Sequence, residues 1–176
     1  MNDRIHAPAA PMAAIVAVGV FISLLVGPSV TQAQAPQPSI DSAQAFLADV
    51  LTKGTSGVRL VRTFNGRPTS GFEWARIASV YGSGCSTHMN LNSIGGARSR
   101  DFDWSHTSAV NESLFDTDAQ GLTLYNVSIE GAIRDSAGAT VPEAIVGVES
   151  FDLQKRVVTA MKFLRDKCDT TSKYGF

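Results

Sequence analysis

The pattern of apolar and polar positions divides the chain near residue 35. The segment Ala13–Gly27 is an uninterrupted apolar run, with the basic residue Arg4 before it and small, polar residues after it. This is the order of a secretory signal peptide, and the run is shorter than the roughly 20 apolar residues that a membrane-spanning helix needs. We therefore predict that residues 1–35 are a cleaved signal peptide, with cleavage after Ala33 or Ala35.

Apolar residues at helical spacing predict a helix near each end of the remaining chain. The first follows Asp41, where Gln44 three positions later matches a capping box. The second, longer helix is predicted over residues 152–168, capped by Asp152 or Ser150. The apolar stripes are Ala43, Phe46, Leu47, Val50 and Leu51 in the first helix, and Leu153, Val157, Ala160, Met161, Leu164 and Cys168 in the second.

Between the two helices, alternating apolar and polar residues separated by turn signals predict several strands. Residues 58–64 and 72–81 are predicted to pair as a hairpin across a loop that begins with Asn65-Gly66. Residues 122–134 show the clearest alternation and are predicted to pair with 140–151. Further strands are predicted over 86–91 and 102–110.

The order of these elements predicts the fold class. Strands that are grouped together, rather than alternating with helices, favour an antiparallel sheet with helices on one side. We therefore predict that residues 36–176 form a single α+β domain. Its antiparallel sheet has about five or six strands, with the N-terminal helix and the longer C-terminal helix packed on one face.

The charge of the chain argues against a nucleic-acid partner. The 15 basic and 16 acidic residues give a net charge of −1 and are mixed along the sequence. Such a chain has no basic surface that would attract nucleic acid as a whole. We expect no stable membrane anchor after cleavage, and the sequence indicates no cofactor, no metal and no identified partner.

Two cysteines, Cys85 and Cys168, stand in the predicted domain. In an oxidising compartment a lone pair of cysteines usually forms one disulfide. The alternatives are two free buried thiols, or a reactive Cys85 paired with His88 or His106. Because the signal peptide and the disulfide point to the same compartment, we predict a periplasmic or secreted protein.

Asp101, Asp103 and His106 are the residues that the sequence offers as a speculative site. On a regular strand, Asp101 and Asp103 share one face and His106 points to the other, which argues against a metal site with three ligands. No Gly-x-Ser-x-Gly sequence or comparable catalytic motif is present. We therefore assign no catalytic residue.

Three functions remain open at this point. The first is an exported, non-enzymatic domain that binds a partner or ligand, or that has an accessory role in the cell envelope. The second is a hydrolase or other enzyme with an atypical site near Asp101, Asp103 and His106, with Glu112 as a further candidate. The third is a subunit of an envelope assembly that uses an exposed sheet edge.

Overall fold

A computed structural model describes the backbone of residues 37–64, 67–117 and 121–169, and the side chains of all of these except 61–64 and 67–71. The predicted signal peptide, residues 1–35, and the Asn65-Gly66 turn lie outside the described residues. Among the helices that are described, none has the length and apolar character required to cross a membrane.

Two helices flank the strands. Helix α1 spans Ile40–Thr52 and helix α2 spans Phe151–Cys168. The strands are β1 (Gly57–Phe64), β2 (Arg67–Ser83), β3 (Ser86–Ser93), β4 (Gly96–Glu112), β5 (Asp116–Thr117), β6 (Thr123–Asp135) and β7 (Thr140–Val148).

Serine side chains cap both helices. Ser39 is the N-cap of α1: its hydroxyl accepts a hydrogen bond from the Ser42 backbone at 3.0 Å, and the Ser42 hydroxyl accepts one from the Ser39 backbone at 2.8 Å. The prediction of a capping box at Asp41 and Gln44 is therefore wrong, because the Gln44 side chain is buried and bonded elsewhere. At α2, Ser150 is the N-cap, one of the two predicted candidates.

The strands close into a six-stranded antiparallel barrel. Successive pairing joins β1 to β2, β2 to β3 and β3 to β4, and β4 then pairs with β6, β6 with β7, and β7 with β1. The short β5 pairs with the first two residues of β6, Thr123 and Leu124, and is not part of this ring. The prediction of a sheet with two helices packed on one face is therefore wrong.

The sheet closes into a barrel, instead of remaining open, because of the pairing of β4. This strand is paired on one side with β3 from Gly96 to Asp103. On the other side it is paired with β6 from Arg100 to Phe102, and again from Thr107 onward. The β4–β6 and β1–β7 pairs join strands that do not follow one another in the chain. Hairpin signals in a sequence indicate only consecutive pairings, so they cannot reveal that a sheet closes.

A large bulge in β4 accompanies the closure. Phe102 pairs with Ile133 and Thr107 pairs with Gly131, so four residues of β4 lie opposite one residue of β6. Gly131 has a φ of 146°, and a Cβ atom there would lie 2.5 Å from the His106 carbonyl oxygen. Glycine is required because the bulged strand passes directly over the position that a side chain would occupy.

The interior of the barrel and the buried faces of the helices form one hydrophobic core. Trp104 and Phe102 are fully buried, with ring centroids 5.8 Å apart. Helix α1 contacts β2, helix α2 contacts β4, and the two helices contact each other. The fully buried side chains that they add to this core include Leu47, Leu51, Val157, Met161 and Leu164.

Buried hydrogen bonds tie α1 to the barrel. The Trp104 indole N–H donates to the Thr87 hydroxyl at 2.7 Å, and that hydroxyl donates to the Gln44 amide oxygen at 2.7 Å. The Gln44 amide nitrogen donates to the backbone oxygens of Gly84 and Ser86, at 3.1 and 3.2 Å. Because every polar group in this chain of contacts has a partner, burial does not leave an unpaired donor or acceptor.

The predicted disulfide joins Cys85, in the turn between β2 and β3, to Cys168, the last residue of α2. The bond links residues 83 positions apart. It attaches the end of the chain's second helix to the same turn that accepts the Gln44 hydrogen bonds. The alternatives of two free thiols and of a reactive Cys85 thiolate do not apply to this oxidised form.

We predict that Gly131→Ala destabilises the fold by at least about 3 kcal/mol, because the new methyl group displaces the backbone of the β4 bulge. Gly138→Ala is the matched control, since Gly138 also has a positive φ, of 78°, but open space around the Cβ position. It should cost about 1 kcal/mol. Urea denaturation measures both variants, and equal losses would contradict this account of the bulge.

Candidate functional site

A row of four polar side chains crosses the outer face of the barrel. Tyr81, His88, Asp101 and Arg134 are successive cross-strand neighbours on β2, β3, β4 and β6. Directly opposed residues of an antiparallel sheet point to the same side. Since Phe102, the residue after Asp101, is buried in the core, this row points outward.

His88 is held at the centre of this row. Its Nδ1 atom contacts the Asp101 carboxylate, and its Nε2 atom lies 3.0 Å from the Asn90 amide oxygen. The Asn90 amide nitrogen in turn donates to the Ser79 hydroxyl at 2.8 Å, and the Tyr81 ring lies 4.7 Å from the His88 ring. Contacts to three strands therefore fix the orientation of the imidazole.

The bulge brings Asp103 and His106 together. His106 Nδ1 lies 2.9 Å from Asp103 Oδ2, and the Ser105 hydroxyl donates to Asp103 Oδ1 at 2.5 Å. The prediction that strand alternation separates Asp103 from His106 is wrong, because residues 103–106 leave the regular ladder. Asp101 and Asp103 do line the same cleft, whereas His106 is largely exposed and contacts Asp103 from outside it.

The cleft between β3, β4 and β6 has a volume of about 480 Å³. Asp101 and Asp103 lie on its β4 side, and Arg134 lies on its β6 side. Ser83 and Ser86 add hydroxyl groups at the end near the disulfide. Within the described part of the chain, the Arg134 guanidinium forms no ion pair and no side-chain hydrogen bond, although two carboxylates share its cleft.

The arrangement of Ser105, His106 and Asp103 is not that of a catalytic triad. In a triad, the carboxylate bonds to one ring nitrogen of histidine and the serine hydroxyl bonds to the other. Here the Ser105 hydroxyl lies 3.0 Å from Nδ1, the same nitrogen that faces Asp103. The serine therefore has no base at Nε2 to remove its proton, and it serves to hold the Asp103 carboxylate.

The described residues also offer no metal centre. Among them, no group of three or more histidine, cysteine, aspartate or glutamate side chains is placed to hold a metal ion. Asp101 and Asp103 are each engaged with a different histidine. This arrangement gives two separate carboxylate–imidazole pairs.

Asp103 is held in its ionised form. Partial burial raises the pKa of this carboxyl, but hydrogen bonds from the Ser105 side chain, the His106 ring and the Ser105 backbone outweigh it, so the pKa is lower than the ordinary value. Near neutral pH, Asp103 therefore presents a fixed negative charge beside the cleft.

Two members of the site do not follow from the sequence patterns. They are Arg134, and His88 in its contact with Asp101. The turn at Ile94-Gly95 sets the β3–β4 register, so a hairpin with this turn would have placed His88 opposite Asp101. No local signal leads to Arg134, because it reaches the cleft through the β4–β6 pairing.

No protein-family model, curated protein or solved structure matches this chain. The function must therefore be argued from the chemistry of its own surfaces.

We predict that Ser105→Ala raises the pKa of Asp103 toward its ordinary value of 3.8, because a hydrogen bond to the ionised form is lost. Ser108→Ala is the control, since the Ser108 hydroxyl bonds to the Glu130 backbone instead. Carboxyl carbon chemical shifts, followed by NMR as the pH is changed, measure this pKa. An unchanged value in Ser105→Ala would contradict the role given to Ser105.

The same variant has a predicted pH dependence of stability. The pKa of Asp103 is lower in the folded state than in the unfolded state. The hydrogen bonds to its carboxylate therefore stabilise the fold fully at pH values above the ordinary pKa of the group. This contribution is lost as the pH falls through the pKa of the folded state. The stability difference between the native protein and Ser105→Ala should therefore be largest near neutral pH and should shrink in acid.

Proposed function

We propose that the protein is an extracytoplasmic, non-catalytic domain that binds a small zwitterion, of the α-amino acid class, in the outer cleft. The observation that carries this proposal is the Arg134 guanidinium, which has no ion-pair partner among the described residues and lies in the same cleft as the Asp101 and Asp103 carboxylates. A ligand with both charges complements this surface better than an ion of either sign.

Each charge of an α-amino acid has a partner in the cleft. The planar guanidinium of Arg134 suits a carboxylate, with which arginine forms paired hydrogen bonds. Asp101 engages His88 through Oδ1, and within the described residues its Oδ2 atom has no hydrogen-bond partner, so it is able to accept from an ammonium group. Asp101 and Arg134 are direct cross-strand neighbours, which places their Cβ atoms about 5 Å apart.

The size and rigidity of the cleft support a small ligand. Its volume of about 480 Å³ lies within the range of small-molecule sites. Its charged side chains stand on paired strands of the barrel, and His88 and Ser105 restrain the two carboxylates. Carboxylates restrained in this way lose little side-chain entropy when a ligand binds.

The compartment is part of the proposal. A Cys85–Cys168 disulfide is typical of proteins that leave the cytosol, and the apolar run near the N-terminus has the pattern of a secretory leader. Together they support a periplasmic or secreted location.

The other two functions have less support. An enzyme built on Asp103 and His106 would need a nucleophile or substrate within reach of the free side of the imidazole, and Ser105 lies on its other side. An assembly subunit would need a long unpaired sheet edge. Strand β4, which would be the edge of an open sheet, is paired on both sides from Arg100 to Phe102.

We expect at least one of the common α-amino acids to bind to the exported protein in isothermal titration calorimetry. Its C-terminal amide and its N-acetyl derivative should each bind about tenfold more weakly, because each has lost one charge. Arg134→Gln should remove the preference for the acid over the amide, and Asp101→Asn should remove the preference for the free amine over the acetylated form.

Arg98→Gln is the matched control for this experiment, since Arg98 is exposed near the β3–β4 turn and does not line the cleft. It should bind the ligand as the native protein does. The proposal is wrong if no α-amino acid binds, or if Arg98→Gln weakens binding as much as Arg134→Gln.

A further inference from the structure

An apolar groove runs between the outer faces of α1 and α2. Its volume is about 470 Å³, and it is open to solvent. Ala43 and Phe46 of α1 and Ala160 and Phe163 of α2 provide apolar surface, and Pro38 lies at the end where α1 begins. Phe46, Ala160 and Phe163 are only partly buried, so part of their surface remains available to a partner.

Three cations of α2 lie in or beside this apolar surface. Lys155 and Arg156 line the groove, and the Arg156 guanidinium lies 5.0 Å from the centre of the Phe46 ring. Lys167 lies 5.7 Å from the centre of the Phe163 ring. Within the described part of the chain none of these three cations has a carboxylate partner. The groove therefore combines apolar surface with uncompensated positive charge.

The basic character belongs to α2 rather than to the whole protein. Helix α2 carries five basic and two acidic residues, whereas the complete chain has a net charge of −1. Of the five, Arg165 is paired with Asp166. The other cations of α2 are exposed to solvent, which makes this helix a local positive surface on a slightly acidic protein.

Further exposed apolar side chains lie near the beginning of α2, where the Phe151 and Phe115 rings both contact the Tyr125 ring. Phe151, Phe115 and Leu114 are 47%, 64% and 83% exposed. Lys155 connects the two regions, since it lines the groove and its ammonium lies 4.1 Å from the centre of the Phe151 ring. From Phe151 to Phe163 the helix rises about 18 Å, so this surface matches about three turns of a partner helix.

We propose that this groove binds an acidic amphipathic helix of a partner protein. Two neighbouring helices leave an open groove between them. The apolar face of a third helix fills such a groove with side chains spaced at i, i+3, i+4 and i+7. Acidic residues beside that apolar face would pair with Lys155, Arg156 and Lys167. A flat bilayer surface, by contrast, cannot fill a concave groove.

This docking surface is separate from the amino-acid cleft. The groove lies on the helices, whereas the cleft lies on β3, β4 and β6, and the residues that line them do not overlap. Failure of one proposal therefore leaves the other unaffected.

The test uses the exported protein and two synthetic helical peptides of four turns with the same pattern of leucines. One peptide carries glutamate and the other lysine at the flanking positions. In fluorescence anisotropy the glutamate peptide should bind at least tenfold more tightly than the lysine peptide, and its affinity should fall as salt is added.

Two substitutions on α2 locate the binding. Arg156→Glu should weaken binding of the glutamate peptide at least tenfold, because Arg156 lines the groove. Lys162→Glu changes the net charge equally, and Lys162 is exposed on α2 without lining the groove. It should change the affinity less than threefold.

Three results would overturn the proposal. They are absence of binding by the glutamate peptide, equal losses in Arg156→Glu and Lys162→Glu, and binding of phosphatidylglycerol vesicles that depends on Arg156 more strongly than peptide binding does. The last result would assign the surface to a membrane instead of a protein helix.

Discussion

The structure depends on one constraint on β4. This strand pairs with β3 on one edge and with β6 on the other, and it also contains a bulge in which four of its residues lie opposite one residue of β6. Trp104 lies inside this bulge and fixes its position. Its backbone N–H donates to the Cys85 carbonyl at 2.9 Å, and its indole N–H donates to Thr87. With Trp104 fixed in the core, the residues on either side of it, Asp103 and Ser105, are directed outward, and Asp103 lines the cleft. The closure of the barrel and the geometry of the site therefore have the same origin.

The turn at Gly84–Ser86 joins the helices to this barrel. Gln44 of α1 donates to the backbone on both sides of Cys85, and the Cys85 sulfur holds the end of α2. Polar contacts of this kind are stabilising only when each buried group is satisfied, and here the Trp104, Thr87 and Gln44 groups satisfy one another. The positions of both helices, and hence the groove between them, are set by the same few contacts that position the cleft.

Local chemistry in the sequence predicts much of the secondary structure. The apolar stripes of both helices, the hairpin of β6 and β7, and the disulfide all follow from local patterns or from counting cysteines. Even the placement of Pro142 is predictable, because proline avoids regular ladder positions. In the structure it stands opposite the irregularity between Glu130 and Ile133.

Two kinds of feature cannot be predicted from the sequence. They are contacts between distant parts of the chain, and side-chain directions where a strand loses its regular alternation. The β4–β6 pairing brings Arg134 beside Asp101 from a distant part of the chain, and no local pattern records that contact. The alternation rule fails for His106 because it assumes a regular strand, and the bulge shifts the alternation after Trp104, so that His106 is exposed and Thr107 is buried. The sequence therefore indicates residue types of the candidate site, such as Asp101, Asp103 and His106, but it does not predict the geometry of the site.

The closure of the barrel through β4 is tested most directly by proton NMR contacts of Phe102. This residue pairs with Thr87 on β3 and with Ile133 on β6. The account predicts nuclear Overhauser contacts from the backbone of Phe102 to both of these residues, together with slow amide exchange on both edges of β4. Contacts to Thr87 alone, with rapidly exchanging β6 amides on the side facing β4, would show an open sheet and contradict the account.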